Sequence, residues 1–220
     1  MATSPLTQEL NVMSFAHTTQ LRMNILLERL QGVDFTRANQ QPAELGLDER
    51  EVFIPSPSGG RFLRRVFADL RVQADDSVLD IGCAKGSALR DLTKFPFARI
   101  HGIELSPALA EIARRNFARL GTSAVKVHCI DARAFSSYGD FNIFYLYNPF
   151  PSDILDTVLQ ALLAQAGLGK ELLVVYNNPL GHAVMLRHGF QSMRRYPDFW
   201  GHGILVYSNR PQNSRLGPAQ

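Results

Sequence analysis

The chain has 220 residues, 45% of them apolar, only two cysteines and a formal net charge of +3. That composition supports a full hydrophobic core, and no uninterrupted apolar run reaches the roughly 18 residues of a membrane span. The opening MATSPLTQELNVMSF lacks the basic-then-apolar order of a secretory leader, and Cys83 and Cys129 form no close pair, arguing against a disulfide framework or zinc ribbon. A soluble cytoplasmic protein with no membrane segment and no metal site is expected.

From the N-terminus, residues 14–31 predict a helix, with Leu21, Ile25, Leu26 and Leu30 at three- and four-residue spacing. EVFIPSPSGG interrupts that pattern, and RFLRRVFADLRV resumes it as an amphipathic helix with Phe62, Val66, Phe67 and Leu70 on one face. From Ser77 onward strands and helices alternate. SVLDIG, ARIHGIE, VKVHCI, FNIFYLY and ELLVVYN predict strands; SALRDLTK, PALAEIARRNFARL and SDILDTVLQALLAQ predict helices. GFQSMRRY and HGILVYS predict two last strands; a polar tail follows over 209–220, of which PQNSRLGPAQ is expected to be disordered. Apolar strands alternating with helices predict an α/β fold, a doubly wound, mostly parallel sheet covered on both faces. The expected division is a helical N-terminal extension over 1–75, a central domain over 76–208 and the tail. Basic residues are dispersed, with short pairs at Arg64-Arg65, Arg114-Arg115 and Arg194-Arg195, so solvated faces are a better account of them than a nucleic-acid stripe.

In such a sheet, ligands bind beyond the carboxyl ends of the strands, where strand order reverses. The first three predicted strands end at Asp80, Glu104 and Asp131, and the fourth runs into Asn148-Pro149-Phe150. After the first come Gly82, Ala84 and Gly86 at alternate positions, flanking Cys83 and Lys85. A dinucleotide fingerprint would need glycine at the third and sixth positions from Gly82, where Ala84 and Ser87 stand. Glu104 is placed to accept hydrogen bonds from both hydroxyls of a ribose, and Asp131 from an adenine amine. Asp80, or the backbone beside it, can receive a cationic amino group, and the small-residue loop leaves room for the amino-acid end of a ligand. Adenine, ribose and an amino acid together describe S-adenosylmethionine. Cys83 has no base nearby in sequence and reads as a spacer whose backbone serves the loop.

VLDIGCAKG, HGIELSP and CIDARAF, in this order, resemble the first three motifs of class I S-adenosylmethionine-dependent methyltransferases, over roughly residues 76–208. The resemblance implies a seven-stranded Rossmann-like sheet with a C-terminal antiparallel hairpin. It also implies a cofactor site at Asp80, Gly82, Cys83, Ala84, Gly86, Glu104, Leu105, Asp131 and Ala132. Ala84 occupies a position where that family most often has glycine.

Methyl transfer requires an acceptor held in line with the methyl group, and YLYNPFP supplies a candidate corner. Pro149 fixes the chain there, carbonyl oxygens of Asn148 can face an acceptor N–H or O–H, and Phe150 can wall it. The corner partly resembles the Asn-Pro-Pro-aromatic motif of methyltransferases acting on planar amines, departing from it by Phe150 in the second proline position. Upstream, Pro55-Ser56-Pro57 is similar to the Pro-Thr-Pro segment of histone-lysine methyltransferases of the telomeric-silencing type and their lysine-methylating relatives. That similarity implies a lid over the cofactor, with Pro57 in contact. The expected function is methyl transfer to an N or O acceptor, a small molecule or a protein lysine. The alternatives are a nicotinamide-dinucleotide oxidoreductase and a non-catalytic nucleoside-binding domain. His182 and His202 are weaker candidates for substrate contact.

Overall fold

The structure, a computed structural model, describes residues 19, 21–37, 40–167, 169–198 and 201–216. The part of the expected first helix before residue 19, and tail residues 217–220, lie outside these. Residues 21–31 are helical (α1). Then follow α2 (Arg61–Asp69), β1 (Ser77–Ile81), α3 (Ser87–Leu92), β2 (Arg99–Glu104), α4 (Pro107–Arg119), β3 (Val125–Cys129) and β4 (Ile143–Tyr147). After these come α5 (Ser152–Gln165), β5 (Leu173–Asn177), α6 (His182–Arg187), β6 (Gln191–Tyr196) and β7 (Ile204–Ser208).

The strands form one seven-stranded sheet in the order β3-β2-β1-β4-β5-β7-β6. β3 through β5 pair in parallel, while β7 runs antiparallel to both β5 and β6. The order reverses between β1 and β4, so a crevice must open above the carboxyl ends of those two strands. Alternation along β1 sends Val78 to one face and Leu79 and Ile81 to the other. The first face packs on α2, α3 and Phe117 of α4; the second packs on α5, Val184 and Met185. Burying both faces is what makes β1, β4 and β5 apolar almost throughout, rather than alternating.

Three sequence expectations need correction. In α1 the apolar spacing does not mark a packed face: Leu26 is 51% and Leu30 77% exposed, and the buried residue is Glu28. The Glu28 carboxylate accepts from the N–H groups of Phe35 and Thr36, the Thr36 hydroxyl and the Arg90 guanidinium, so charge chemistry orients this helix. The tail is ordered as far as residue 216. Arg215 forks onto both oxygens of Asp76, at 2.6 and 2.8 Å, because that carboxylate is buried and requires a cation. Finally, α6 was not anticipated; its six residues are too few for a periodic signal.

The basic pairs are largely consumed locally. Arg64 pairs with Asp91, Arg65 and Arg194 with Asp69, and Arg114 with Glu111. No helix among the described residues is long and apolar enough to cross a membrane.

Candidate active site

The chain after β1 turns within five residues, and each small side chain there has a local cause. Gly82 has φ +79°, and a Cβ on it would stand 2.6 Å from Cβ of Pro149. The loop after β1 and the corner after β4 are therefore in direct contact at the reversal point. Gly86 has φ +86° and caps α3, and a Cβ there would meet the Phe117 ring at 2.7 Å. Ala84 holds φ +46°, a left-handed conformation that costs a non-glycine residue something, and its N–H is fixed by a bond to Oε2 of Glu104 at 2.8 Å.

These residues frame a cleft of about 1140 Å³, counted out to the solvent at its mouth. One wall is Gly82–Lys85, Ser87, Ile103–Leu105 and Leu109; a second is Ile130–Arg133; a third is Tyr147–Phe150 with Ile154. The roof comes from the N-terminal region: Phe35, Arg37, Gln40, Leu47 and residues 51–58. Of the sequence-derived site residues, Gly82, Cys83, Ala84, Glu104, Leu105, Asp131, Ala132, Pro57, Asn148, Pro149 and Phe150 come together here. Asp80 and Gly86 do not line the cleft: Gly86 packs on α4, and Asp80 lies beneath the loop, 2% exposed.

Glu104 is 7% exposed, and its Oε1 accepts from Ser106 N–H at 2.9 Å. Burial raises its carboxyl above the ordinary range, opposed by the N–H groups of Ser106, Ala84 and Leu105. A carboxylate oxygen can accept from more than one donor, so these backbone bonds orient Glu104 without closing it to a ligand. Burial and the neighbouring Glu104 charge push Asp80 well above the carboxylate range, and its Oδ2 has no hydrogen-bond partner. Asp131 is lowered by the Arg133 side chain, which forks onto both its oxygens with a closest contact of 2.6 Å. Arg133 also reaches Glu51 at 3.1 and 3.2 Å, bridging the β3 end to the roof.

Burial pushes the Cys83 thiol well above the ordinary range, and its Sγ packs over Gly102. Such a sulfur is an inert packing group.

At the β4 corner Asn148 adopts φ +43°, is 8% exposed, and accepts from the Tyr176 hydroxyl at 3.0 Å through Oδ1. The Pro149 carbonyl accepts from Phe53 N–H at 3.1 Å, which draws the roof across the corner. The roof's far end is tied down where Gly60 N–H and Arg64 both bond Asp91 of α3. The expected lid over 53–60 does roof the cleft through residues 53–58, whereas sequence reasoning missed the Tyr176 contact, Lys85, Arg133 and the roof residues Phe35, Arg37, Gln40, Leu47, Glu51 and Val52. His182 bonds Tyr207 at 2.8 Å, the His202 carbonyl accepts from Arg195, and neither histidine lines the cleft.

A sheet in this order, with a small-residue loop and acidic strand ends around a cleft at the reversal point, is the class I methyltransferase architecture. Residues 78–166 match the family model described as "Methyltransferase domain". Among curated proteins, EEF1A lysine methyltransferase 2 of Homo sapiens is 32% identical over 84 residues. That match covers 38% of this chain and 35% of the relative, so the chain spans about a third of the length of the curated relative it matches.

Among solved structures, the mitomycin 7-O-methyltransferase MmcR superposes with a TM-score of 0.53 at 17% identity, over 66% of this chain and 52% of that one. A SAM-dependent methyltransferase from Aquifex aeolicus gives 0.52 at 13%, over 66% and 87%. An RNA methyltransferase from Salinibacter ruber, in complex with S-adenosyl-L-homocysteine, gives 0.51 at 19%, over 69% and 91%. Residues 78–166 thus match a methyltransferase domain, the fold is the one these S-adenosylmethionine-dependent methyltransferases share, and the oxidoreductase alternative is not favoured.

Proposed function

We propose that this protein transfers a methyl group from S-adenosylmethionine to a nitrogen acceptor, and that the acceptor is the side-chain amine of a protein lysine. The residues present suit the cofactor: the Glu104 carboxylate lines the cleft and is oriented by backbone N–H groups, and buried Asp80 Oδ2 and Gln40 Oε1 have no hydrogen-bond partner. When bound, S-adenosylmethionine supplies an electrophilic methyl carbon on a sulfonium. Glu104 would accept from the ribose hydroxyls, and Asp131, oriented by Arg133, would accept from the adenine amine. The backbone of Gly82, Cys83 and Ala84 would hold the amino-acid end above the buried Asp80 carboxyl, and Leu105 and Ala132 would flank the base. Residues 53–58, Pro57 among them, cover the site and exclude water.

The observation that carries the acceptor assignment is the corner itself. Asn148 and Pro149 abut the loop at Gly82, where a methyl group would be presented; among the described lining residues there is no histidine, and the carboxylates Glu51, Asp131 and Glu104 are held by Arg133 or by backbone N–H groups. A hydroxyl acceptor needs a base in the transition state, whereas an alkyl amine that enters neutral loses its extra proton to water only after transfer. Asn148 Oδ1, steadied by Tyr176, accepts from the amine N–H and aligns its lone pair, while Phe150 and Tyr147 wall the aliphatic stem. The human relative's name as a lysine methyltransferase supports the same acceptor class.

The test is incubation with methyl-labelled cofactor and a cell extract, followed by hydrolysis. Label is expected in methyllysine; label in RNA, or in base-labile esters, would overturn the assignment. Asn148→Ala should cut transfer by about 100-fold or more while cofactor affinity stays within about threefold. A variant that turns over at the native rate would make the corner purely structural.

A further inference from the structure

We propose that Arg37 and Gln40 hold the amino-acid end of the cofactor, the guanidinium on its carboxylate and the amide oxygen on its ammonium. The proposal rests on the cleft being an S-adenosylmethionine site, and concerns a part of it that none of the sequence motifs covers. Among the described residues, three cations line the cleft: Arg37, Lys85 and Arg133. Two are already committed. Lys85 bonds Asp34 Oδ2 at 2.8 Å and the Arg37 carbonyl at 2.9 Å, and Arg133 forks onto Asp131 and Glu51. Among the described residues, no carboxylate stands within salt-bridge distance of Arg37. Gln40 lines the same cleft, and its buried Oε1 has no hydrogen-bond partner. One short stretch thus offers an unpaired planar cation and an unpaired acceptor, the complement of an α-amino acid zwitterion.

The position along the cleft agrees. Bonds order the site from Ile130, whose N–H donates to the Glu104 carbonyl, through Glu104 and Ala84 to Lys85 and then Arg37. With adenine and ribose at the first two, the amino-acid end falls toward the last. Residues 34–37 are also anchored, which presents the Arg37 side chain from a held backbone. Asn116 clamps Asp34 through both its N–H and its carbonyl, at 2.8 and 2.9 Å, and donates to the Lys85 carbonyl at 3.1 Å. Phe35, 2% exposed, sits edge-on to Phe117.

The experiment is calorimetry on the full chain with two probes, S-adenosylhomocysteine and 5′-methylthioadenosine, which keeps the nucleoside but lacks the amino acid. Arg37→Ala is expected to weaken S-adenosylhomocysteine roughly 10- to 100-fold and to leave methylthioadenosine within about twofold. Arg37→Lys should recover part of the loss, and Gln40→Ala should weaken the first probe alone by roughly 5- to 20-fold. An undiminished affinity of Arg37→Ala for S-adenosylhomocysteine would overturn the proposal. Equal losses for both probes would overturn it too, since that pattern means the stretch merely shapes the cleft. If the native protein binds neither probe, the cofactor assignment fails and takes this proposal with it; native binding of both isolates the Arg37 question.

Discussion

The floor and the roof of the cleft are built by different chemistry. The floor is held by buried bonds between carboxylate and backbone: Glu104 to Ala84 and Ser106, backed by Gly82 against Pro149. The roof is held by partly exposed ion pairs, with Arg133 and Glu51 side chains 36% and 42% exposed, and by single links such as Phe53 N–H to the Pro149 carbonyl. Phe53 and Ile54 in the roof are themselves 43% and 50% exposed. Buried charge-assisted bonds are strong and insensitive to salt, whereas exposed pairs contribute little and are screened. The floor is therefore suited to recognise a ligand, and the roof to open for one.

The sharpest way to break this contrast is at Glu104. Glu104→Ala removes the acceptor for two backbone N–H groups and for the ribose, and leaves Ala84 in its left-handed conformation without its tether. Cofactor affinity should fall by about 10- to 150-fold, a loss of about 1.5–3 kcal/mol in binding free energy. Calorimetry showing near-native affinity would mean the floor recognises its ligand elsewhere.

Asp80 shows the opposite sign. It is a buried carboxyl with an unpartnered oxygen, so it should cost the fold something that a bound cation repays. Its folded pKa lies above its ordinary 3.8, so the stability tied to its proton is complete below pH 3.8 and is lost as pH rises through the folded value. Asp80→Asn has nothing to ionise. It should match or trail the native protein below about pH 4 and exceed it toward neutrality, by roughly 2–4 °C in Tm for about 1 kcal/mol. The same variant should bind S-adenosylmethionine more weakly. Thermal melts across pH showing no crossover would indicate that Asp80 has a partner in solution.

Much of the floor was legible in the sequence and little of the roof. β1, β2 and β3 announce themselves by apolar runs ending in Asp80, Glu104 and Asp131, because strand, turn and acid are neighbours in the chain. The loop's glycines were also legible, though Gly86 answers to Phe117 rather than to a ligand. Roof contacts join residues far apart: Arg133 and Glu51 are separated by 82 positions, Lys85 and Asp34 by 51. Such pairs leave no periodicity. The α1 pattern misled for a related reason, since Glu28 orients that helix through polar bonds that hydrophobic spacing does not register.

A smaller effect is expected from Pro57→Gly. Pro57 restricts a segment whose ends are held at Phe53 and Gly60, so glycine should raise the entropy of the open roof without touching the sheet. Saturating cofactor should protect amides 53–60 from hydrogen exchange in the native protein, and do so less in the variant, at a cost of about 0.5–1 kcal/mol. Equal protection of both proteins would make the segment a plain connector.

The smallest effect tests the roof's electrostatic latch. Glu51→Gln keeps the shape of the side chain and removes its charge, breaking the bridge through Arg133 while leaving the Arg133–Asp131 fork intact. Exposed pairs of this kind contribute about 0–1 kcal/mol, so the cofactor should leave about two- to fivefold faster and the equilibrium should move by no more than that. The diagnostic readout is salt. If the bridge holds the roof shut, raising ionic strength speeds release from the native protein toward the variant's rate, and the variant itself responds little, because its latch is already gone. Stopped-flow displacement at low and high salt measures both rates. A salt response of equal size in the two proteins would place the gate elsewhere, at the Phe53–Pro149 link or the Lys85–Asp34 pair, and the floor-and-roof contrast would have to be redrawn around that contact.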